Sequence, residues 1–371
     1  MSQNNQKKRI VIKIGSSSLT SLHGEMSRRK LERLVDEVVR LKDDGHEVLL
    51  VSSGAVAAGY RKLGCLTRPS SLPEKQAAAA IGQGLLIEAY SDLLISNGYV
   101  ASQILITRSD FSDKDRYNNA RNTINVLLER GIIPIVNEND TVTIDRLKFG
   151  DNDTLSAKVA ALVDADQLII LSDIDGLYDS DPRKNPDAEL LESVTEITED
   201  IEDMAGEPGS SVGTGGMRSK IDAFKITMAS GIPAFLGKSG NSNVIYDAVQ
   251  HTAKGTYFES AEDSVNLDSK KQWIAFNSGP EGEITIDSDA KERILEQKES
   301  LTIDDIYTVK GRFNKGAVVR ILDNRNEEIG LGMVNFRSGQ LKNPTDIKAD
   351  QIAVEIDQLV CHVDLPIPVG V

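Results

Sequence analysis

Two lysines, three small-residue loops and a run of acids and amides have the types and spacing to handle a phosphate. Lys13 leads into Gly15-Ser16-Ser17-Ser18, a cation before a glycine turn with several free amides. Such a loop can approach phosphate oxygens closely while the lysine adds a point charge. The same residues also spell an ordinary strand-to-loop turn with a surface lysine. Val51-Ser52-Ser53-Gly54-Ala55 runs a strand into small residues that open a helix. Amides at a helix N-terminus favour an anion, and small residues there also serve close helix–sheet packing. In Gly213-Thr214-Gly215-Gly216-Met217-Arg218-Ser219-Lys220, three glycines precede an amphipathic helix with Lys220 in its first turn. A lysine there opposes the positive end of the helix dipole, and an anion bound nearby would justify it.

The acids and amides lie on either side of one loop. Asn137-Glu138-Asn139-Asp140 directly follows the apolar run Ile132 to Val136, four polar side chains where a turn needs fewer. Lys148-Phe149-Gly150-Asp151-Asn152-Asp153-Thr154-Leu155-Ser156 leads into another helix. Asp153 or Thr154 could cap that helix. Three consecutive polar side chains exceed what a cap requires and suit the holding of lysines, an amino group or a metal-bound phosphate.

These loops need a scaffold, and the chain supplies one. Short β-branched runs at 9–14, 47–52, 100–106, 132–137, 167–172 and 233–236 alternate with helical patterns. Ser27 is a good N-cap before Leu31, Leu34, Val35, Val38 and Val39, whose helix stops near Gly45. Further helices fit 73–96, 118–130, 154–164 and 217–230. Nearly unbroken apolar strands alternating with helices predict a mostly parallel α/β sheet sandwiched by helices. In such sheets ligands sit beyond the carboxyl ends of the strands, where the polar loops fall. The pattern weakens over 259–276, read as a linker between a catalytic domain at 1–258 and a smaller domain at 277–371. The latter reads as β-rich, with strands near 282–286, 307–309, 317–321 and 332–334 and one helix at 288–297.

The 371 residues exceed one typical domain, and a net charge of −15 argues against a general nucleic-acid or membrane-surface binder. Cys65 and Cys361 build neither a disulfide framework nor a zinc site, which suggests a reducing compartment. Lys7-Lys8-Arg9 precedes too short an apolar run for a signal peptide, and no stretch of 18 apolar residues predicts a membrane span. A cytoplasmic protein is expected. His23, His46, His251 and His362 share no metal-ligand spacing. Gly237-Lys238-Ser239 resembles the end of a P-loop, but Gly231 lies one residue too early and no helix follows directly.

Taken together, Lys13-Ile14-Gly15-Ser16, Ser52-Ser53-Gly54-Ala55, Asn137-Glu138-Asn139-Asp140, Gly150-Asp151-Asn152-Asp153 and Gly213-Thr214-Gly215-Gly216-Met217 resemble the amino-acid kinase family over residues 9–258. The pair of Asn/Asp strings resembles the branch that phosphorylates glutamate. Residues 278–358 resemble a PUA domain, through Gly282-Glu283-Ile284-Thr285-Ile286-Asp287 and Val309-Lys310-Gly311-Arg312-Phe313-Asn314-Lys315-Gly316. The resemblance implies the amino-acid kinase fold followed by a small PUA-like barrel. It also implies ATP-dependent phosphorylation of the side-chain carboxylate of L-glutamate, the step that opens proline synthesis. That carboxylate is ionised at neutral pH, so no general base is required.

By the same likeness, Lys13 and Lys220 flank the transferred phosphoryl group and Asp153 organises them, with Asp151 beside it. Ser53, Asp140 and Asn152 match glutamate-binding positions. Lys13, Ser172, Asp173 and the run Thr214, Gly215, Gly216, Met217, Arg218, Ser219 and Lys220 match the nucleotide site. Ser172 stands where the family commonly has Thr, and Arg218 where a small hydroxyl residue is frequent. Mg²⁺ would arrive with ATP, with no metal site in the protein itself. Competing readings are a relative with another acceptor (N-acetylglutamate, carbamate, aspartate or a nucleoside monophosphate) and a PUA-dependent RNA-binding accessory protein. Net negative charge over 277–371 opposes the latter, although Lys310–Lys342 is locally basic. A homo-oligomer is expected.

Overall fold

Runs of Ile, Val and Leu become the strands of one sheet in the first of two units, Met1–Glu262 and Asp263–Val371. The computed structural model describes residues 7–21, 26–143, 151–182, 184–204, 216–260, 266–344 and 348–362. The first unit's strands are β1 (Arg9–Ile14), β2 (Glu47–Ser52), β3 (Ala101–Ile106), β4 (Ile133–Glu138), β5 (Gln167–Ser172), β6 (Ser193–Val194), β7 (Ala234–Lys238) and β8 (Thr256–Phe258). Their order is β3-β4-β2-β1-β5-β7-β8-β6, with every pairing parallel except β7 with β8. Strands β2, β4 and β5 are buried along their whole length, as expected when helices cover both faces.

The helices are α1 (Ser16–Leu19), α2 (Arg28–Asp43), α3 (Ala55–Gly59), α4 (Leu72–Ser96), α5 (Arg108–Ser112), α6 (Lys114–Glu129), α7 (Asn152–Leu162), α8 (Glu199–Met204), α9 (Met217–Ala229) and α10 (Val244–Val249). Helix α6 starts earlier than its periodicity suggests because Asp113 caps it, accepting from Asp115 N and Arg116 N. Ser27 holds the N-cap position of α2 without a side-chain capping bond. The chain runs outward from β1 through β2 on one side and returns to β5 on the other. The gap between β1 and β5 is therefore a switch point, the place where open α/β sheets hold ligands.

Side chains alternate along β1. Ile10, Ile12 and Ile14 join the core with Leu31, Val35 and Val38 of α2, Leu86 and Tyr90 of α4 and Ile245 of α10. Val11 and Lys13 face the opposite layer, formed by the packed pair α7 and α9. Helices α3 and α4 touch through two glycines. A Cβ on Gly59 would stand 1.9 Å from Ala78 O, and one on Gly82 1.8 Å from Ala55 O. This contact fixes α3, and with it the Ser53-Gly54 turn at its start. Helix α4 is long and apolar enough by composition to cross a membrane. Here it packs on α2 and α3, and Tyr90 OH meets Ser52 Oγ at 3.0 Å in the interior.

The second unit contains α11 (Ser269–Phe276), β9 (Gly282–Ile286), α12 (Ser288–Glu292), β10 (Leu301–Thr302), β11 (Ile306–Gly311), β12 (Val318–Leu322), β13 (Glu328–Val334), α13 (Ser338–Lys342) and β14 (Ile352–Cys361). Its six-stranded sheet has the order β10-β14-β13-β12-β9-β11. Pairings are antiparallel except β9 with β12. Ile284, Ile286, Val319, Ile321, Val334, Val354 and Leu359 form its core. Helix α11 lies within the stretch read as a linker and packs on β14.

Candidate active site

Lys13 is a strand residue, and the period of two decides where its charge goes. It is 7% exposed and points beneath the N-terminus of α7. The three polar residues opening that helix have separate tasks. Asp151, not Asp153 or Thr154, is the cap: its carboxylate accepts from Asp153 N at 2.8 Å and Thr154 N at 3.0 Å. Asp153 is thereby free to turn inward, where only 1% of it is exposed. Its Oδ1 lies 2.5 Å from Lys13 Nζ, and its Oδ2 accepts from Lys220 Nζ at 3.0 Å and Ser219 Oγ at 3.2 Å. Lys220, in the first turn of α9, is buried as well. The anion that its position calls for is thus supplied in part by the protein itself.

Burial works against the Asp153 carboxylate, and the two lysine charges outweigh it, holding the group below the ordinary aspartate range. Asp151 moves the other way: burial and the neighbouring Asp153 charge raise it. One buried carboxylate is bracketed by two cations, so this three-residue cluster carries one surplus positive charge. Such an arrangement can draw together two anions and neutralise charge that builds between them.

Asn152 begins a chain of amides. Its Nδ2 donates to Asn137 Oδ1 at 3.0 Å, and Asn137 Nδ2 donates to Gln83 Oε1 of α4 at 3.0 Å. Gln83 Nε2 in turn donates to Gln103 Oε1 on β3 at 3.3 Å. The strand expected at 132–137 runs one residue further, taking in Glu138. Asn137 and Glu138 both lie inside β4 and are buried, Asn137 leaving only 4% exposed. Pairing among residues so far apart in the chain leaves no local spacing signal, so Gln83 could not be picked out from the sequence, whereas Asn137 could.

Ser53, Asp140 and Asn152, the three acceptor candidates, line one cavity of about 430 Å³ at the carboxyl ends of β1, β2 and β4. Arg68 and Lys75 line it too, and neither was singled out from the sequence. On the other side of β1, a cavity of about 460 Å³ opens beyond β5 and β7 and is lined by Asp173 and Lys238. Ser172 ends β5, its Oγ donating to Asp173 Oδ1 at 3.1 Å. Gly216 caps α9, and Ser219 Oγ donates back to Gly216 O at 2.9 Å. Arg218 turns to acids instead: Glu202 of α8 at 3.0 Å and Asp222 at 3.6 Å. Thr214, Gly215 and Lys148 to Gly150 lie outside the described residues. Among the described residues, no group of three or more His, Cys, Asp or Glu is arranged to hold a metal ion.

The amino acid kinase family model matches residues 8–238, and the PUA domain model matches residues 282–358. The chain is similar to "Glutamate 5-kinase 2" of Bacillus licheniformis, 64% identical over 99% of this chain and 100% of that one. It is 63% identical to "Glutamate 5-kinase 2" of Bacillus subtilis (strain 168), over the whole of both. Among solved structures, carbamate kinase from Giardia lamblia bound to AMP-PNP shares the fold. Its TM-score is 0.50 at 18% identity, covering 69% of this chain and 100% of the other.

Proposed function

The chain belongs to the amino-acid kinase family and carries a PUA domain, and from this we infer that it transfers the γ-phosphoryl group of ATP to the side-chain carboxylate of L-glutamate. The products are L-glutamyl 5-phosphate and ADP, and the reaction is the first step of proline biosynthesis. The observation that carries this reading is 64% identity to a glutamate 5-kinase along essentially the full length of both chains. That match spans the acceptor side of the site as well as the nucleotide side.

In the reaction, a carboxylate oxygen of glutamate attacks the γ-phosphorus, and the bond to the ADP oxygen breaks. The nucleophile is already ionised, which suits a site built without a histidine. The difficulty is repulsion between two anions, so catalysis rests on positioning and charge neutralisation. Lys13 and Lys220 take the catalytic roles, holding the transferring phosphoryl group from two sides. Asp153 keeps both ammonium groups converged between substrates. Ser53, Asp140 and Asn152 take glutamate, with Asp140 accepting from its amino group. Ser172, Asp173 and Thr214 to Lys220 take ATP. In this reading Mg²⁺ enters with the nucleotide, as part of the MgATP substrate.

The protein acts in this reading as a cytoplasmic homo-oligomer without a membrane partner, and any nucleic-acid contact falls to the PUA domain. The edge strand β3 and the exposed Ile81, Ile95 and Val100 beside it offer a surface for a second copy. The test of function is to incubate the protein with MgATP, hydroxylamine and one acceptor at a time. Hydroxamate with glutamate is expected. Turnover with N-acetylglutamate or carbamate and none with glutamate would refute the assignment.

A further inference from the structure

Glutamate brings three charges to the site, and the residues discussed so far answer two of them. Its side-chain carboxylate meets Lys13 and Lys220, and its ammonium group meets Asp140. The α-carboxylate still needs a counter-charge, because the acceptor cavity also presents Glu138 and Asp151, which would repel it. Two cations line that cavity, Arg68 and Lys75. Arg68 is exposed and already makes an interaction within the protein. Lys75 is half-buried, and among the described residues its ammonium group makes no ion pair or hydrogen bond.

Lys75 also stands where a cation is least welcome for helix stability. It lies in the opening turns of the 25-residue α4, after the N-cap Ser71 and Pro73, close to the positive end of the helix. That turn is held against the acceptor loop, since Gln76 Nε2 donates to Thr143 O at 3.1 Å, three residues past Asp140. Helix α4 is further fixed by the glycine contact with α3, whose first turn presents Ser53 and Gly54 to the same cavity. A cation without an ion-pair or hydrogen-bond partner among the described residues thus stands at the edge of a cavity whose other polar groups suit an amino acid.

We propose that Lys75 is the specificity residue that binds the α-carboxylate of the acceptor, so that the site selects α-amino acids over simple ω-carboxylates. The proposal rests on the acceptor reading above. Its probe is 4-aminobutyrate, which keeps the reacting carboxylate and an amino group but lacks the α-carboxylate. The measurements are KM for glutamate and the competitive Ki of 4-aminobutyrate, in the native protein, Lys75→Met and Lys75→Arg.

Lys75→Met should raise KM for glutamate by about 10- to 100-fold, the usual range for a lost charge-assisted hydrogen bond. It should leave kcat within a few-fold and the Ki of 4-aminobutyrate unchanged, and Lys75→Arg should recover part of the glutamate affinity. Weakening of both ligands by the same factor would overturn the proposal by making Lys75 a scaffold residue. Unchanged glutamate affinity would overturn it as well. Failure of the acceptor reading itself looks different: the native protein would then show no glutamate-dependent turnover at all.

Discussion

Asp153→Asn is the perturbation that separates organisation of the site from mere occupancy. The side chain keeps its size and loses its charge, leaving Lys13 and Lys220 facing each other in the interior. With an effective dielectric constant near 20, the contacts at 2.5 and 3.0 Å contribute about 6.6 and about 5.5 kcal/mol of attraction. Repulsion between the lysines, roughly 5 Å apart across one carboxylate, takes back about 3 kcal/mol. Desolvating three ions costs several kcal/mol each, so the intact cluster adds little net stability. Removing its one anion leaves only the costs, about 3–5 kcal/mol. For a unit of this size that lowers the melting temperature by about 6–15 °C. Bound MgATP supplies replacement negative charge, so the nucleotide should stabilise the variant more than the native protein. Catalysis should fall by about 10²- to 10⁴-fold in kcat, since the lysines no longer converge. Thermal melts with and without MgATP, together with hydroxamate formation, read all three quantities. A variant that melts within about 2 °C of the native protein and keeps kcat within about tenfold would refute this account of the cluster.

Asp140→Ala should raise KM for glutamate far more than KM for ATP and should narrow the preference for glutamate over glutarate, which has no amino group. Equal effects on both substrates would make Asp140 part of the scaffold. Lys158 of α7 offers a test against pH, because burial, with Arg108 nearby, lowers its ammonium pKa to about 7. Between pH 7 and 10 the unfolded chain binds the extra proton, so the destabilisation is full below pH 7 and fades as pH rises. Lys158→Met should therefore stabilise the protein most near pH 6 and least near pH 10. A gain in denaturant midpoint that does not vary with pH would contradict this. A fragment ending at Glu262 should fold and retain glutamate-dependent turnover, whereas an end near Gln272 would leave part of α11 without the β14 surface it packs on. An inactive but folded 1–262 fragment would mean that the second unit completes the site.

The sequence made the scaffold legible where burial leaves no choice. Strands covered on both faces must be apolar throughout, so a single lysine in β1 stood out, and it proved to be Lys13. The three polar residues at the start of α7 exceeded a cap, and each has its own partner: backbone amides for Asp151, Asn137 for Asn152, two lysines for Asp153. Two kinds of feature escaped. Strand β14 carries Glu355, Asp357 and Gln358 in its middle, so its polar texture concealed a ten-residue strand. The amide chain from Asn152 to Gln103 and the place of Lys75 in the same cavity as Asp140 depend on α4 meeting β4, a contact with no sequence period to announce it.

The central claim is that the side-chain carboxylate of glutamate is the phosphoryl acceptor, and oxygen labelling tests it directly. Glutamate carrying ¹⁸O in both side-chain carboxylate oxygens is incubated with the protein, MgATP and hydroxylamine, and the released phosphate is weighed by mass spectrometry. Hydroxylamine displaces phosphate by breaking the carbon–oxygen bond, so phosphate derived from an acyl phosphate leaves with one labelled oxygen. One ¹⁸O per phosphate, appearing in step with hydroxamate, is the expected result. Unlabelled phosphate released at the same rate with or without glutamate would show that water is the acceptor and would contradict the account.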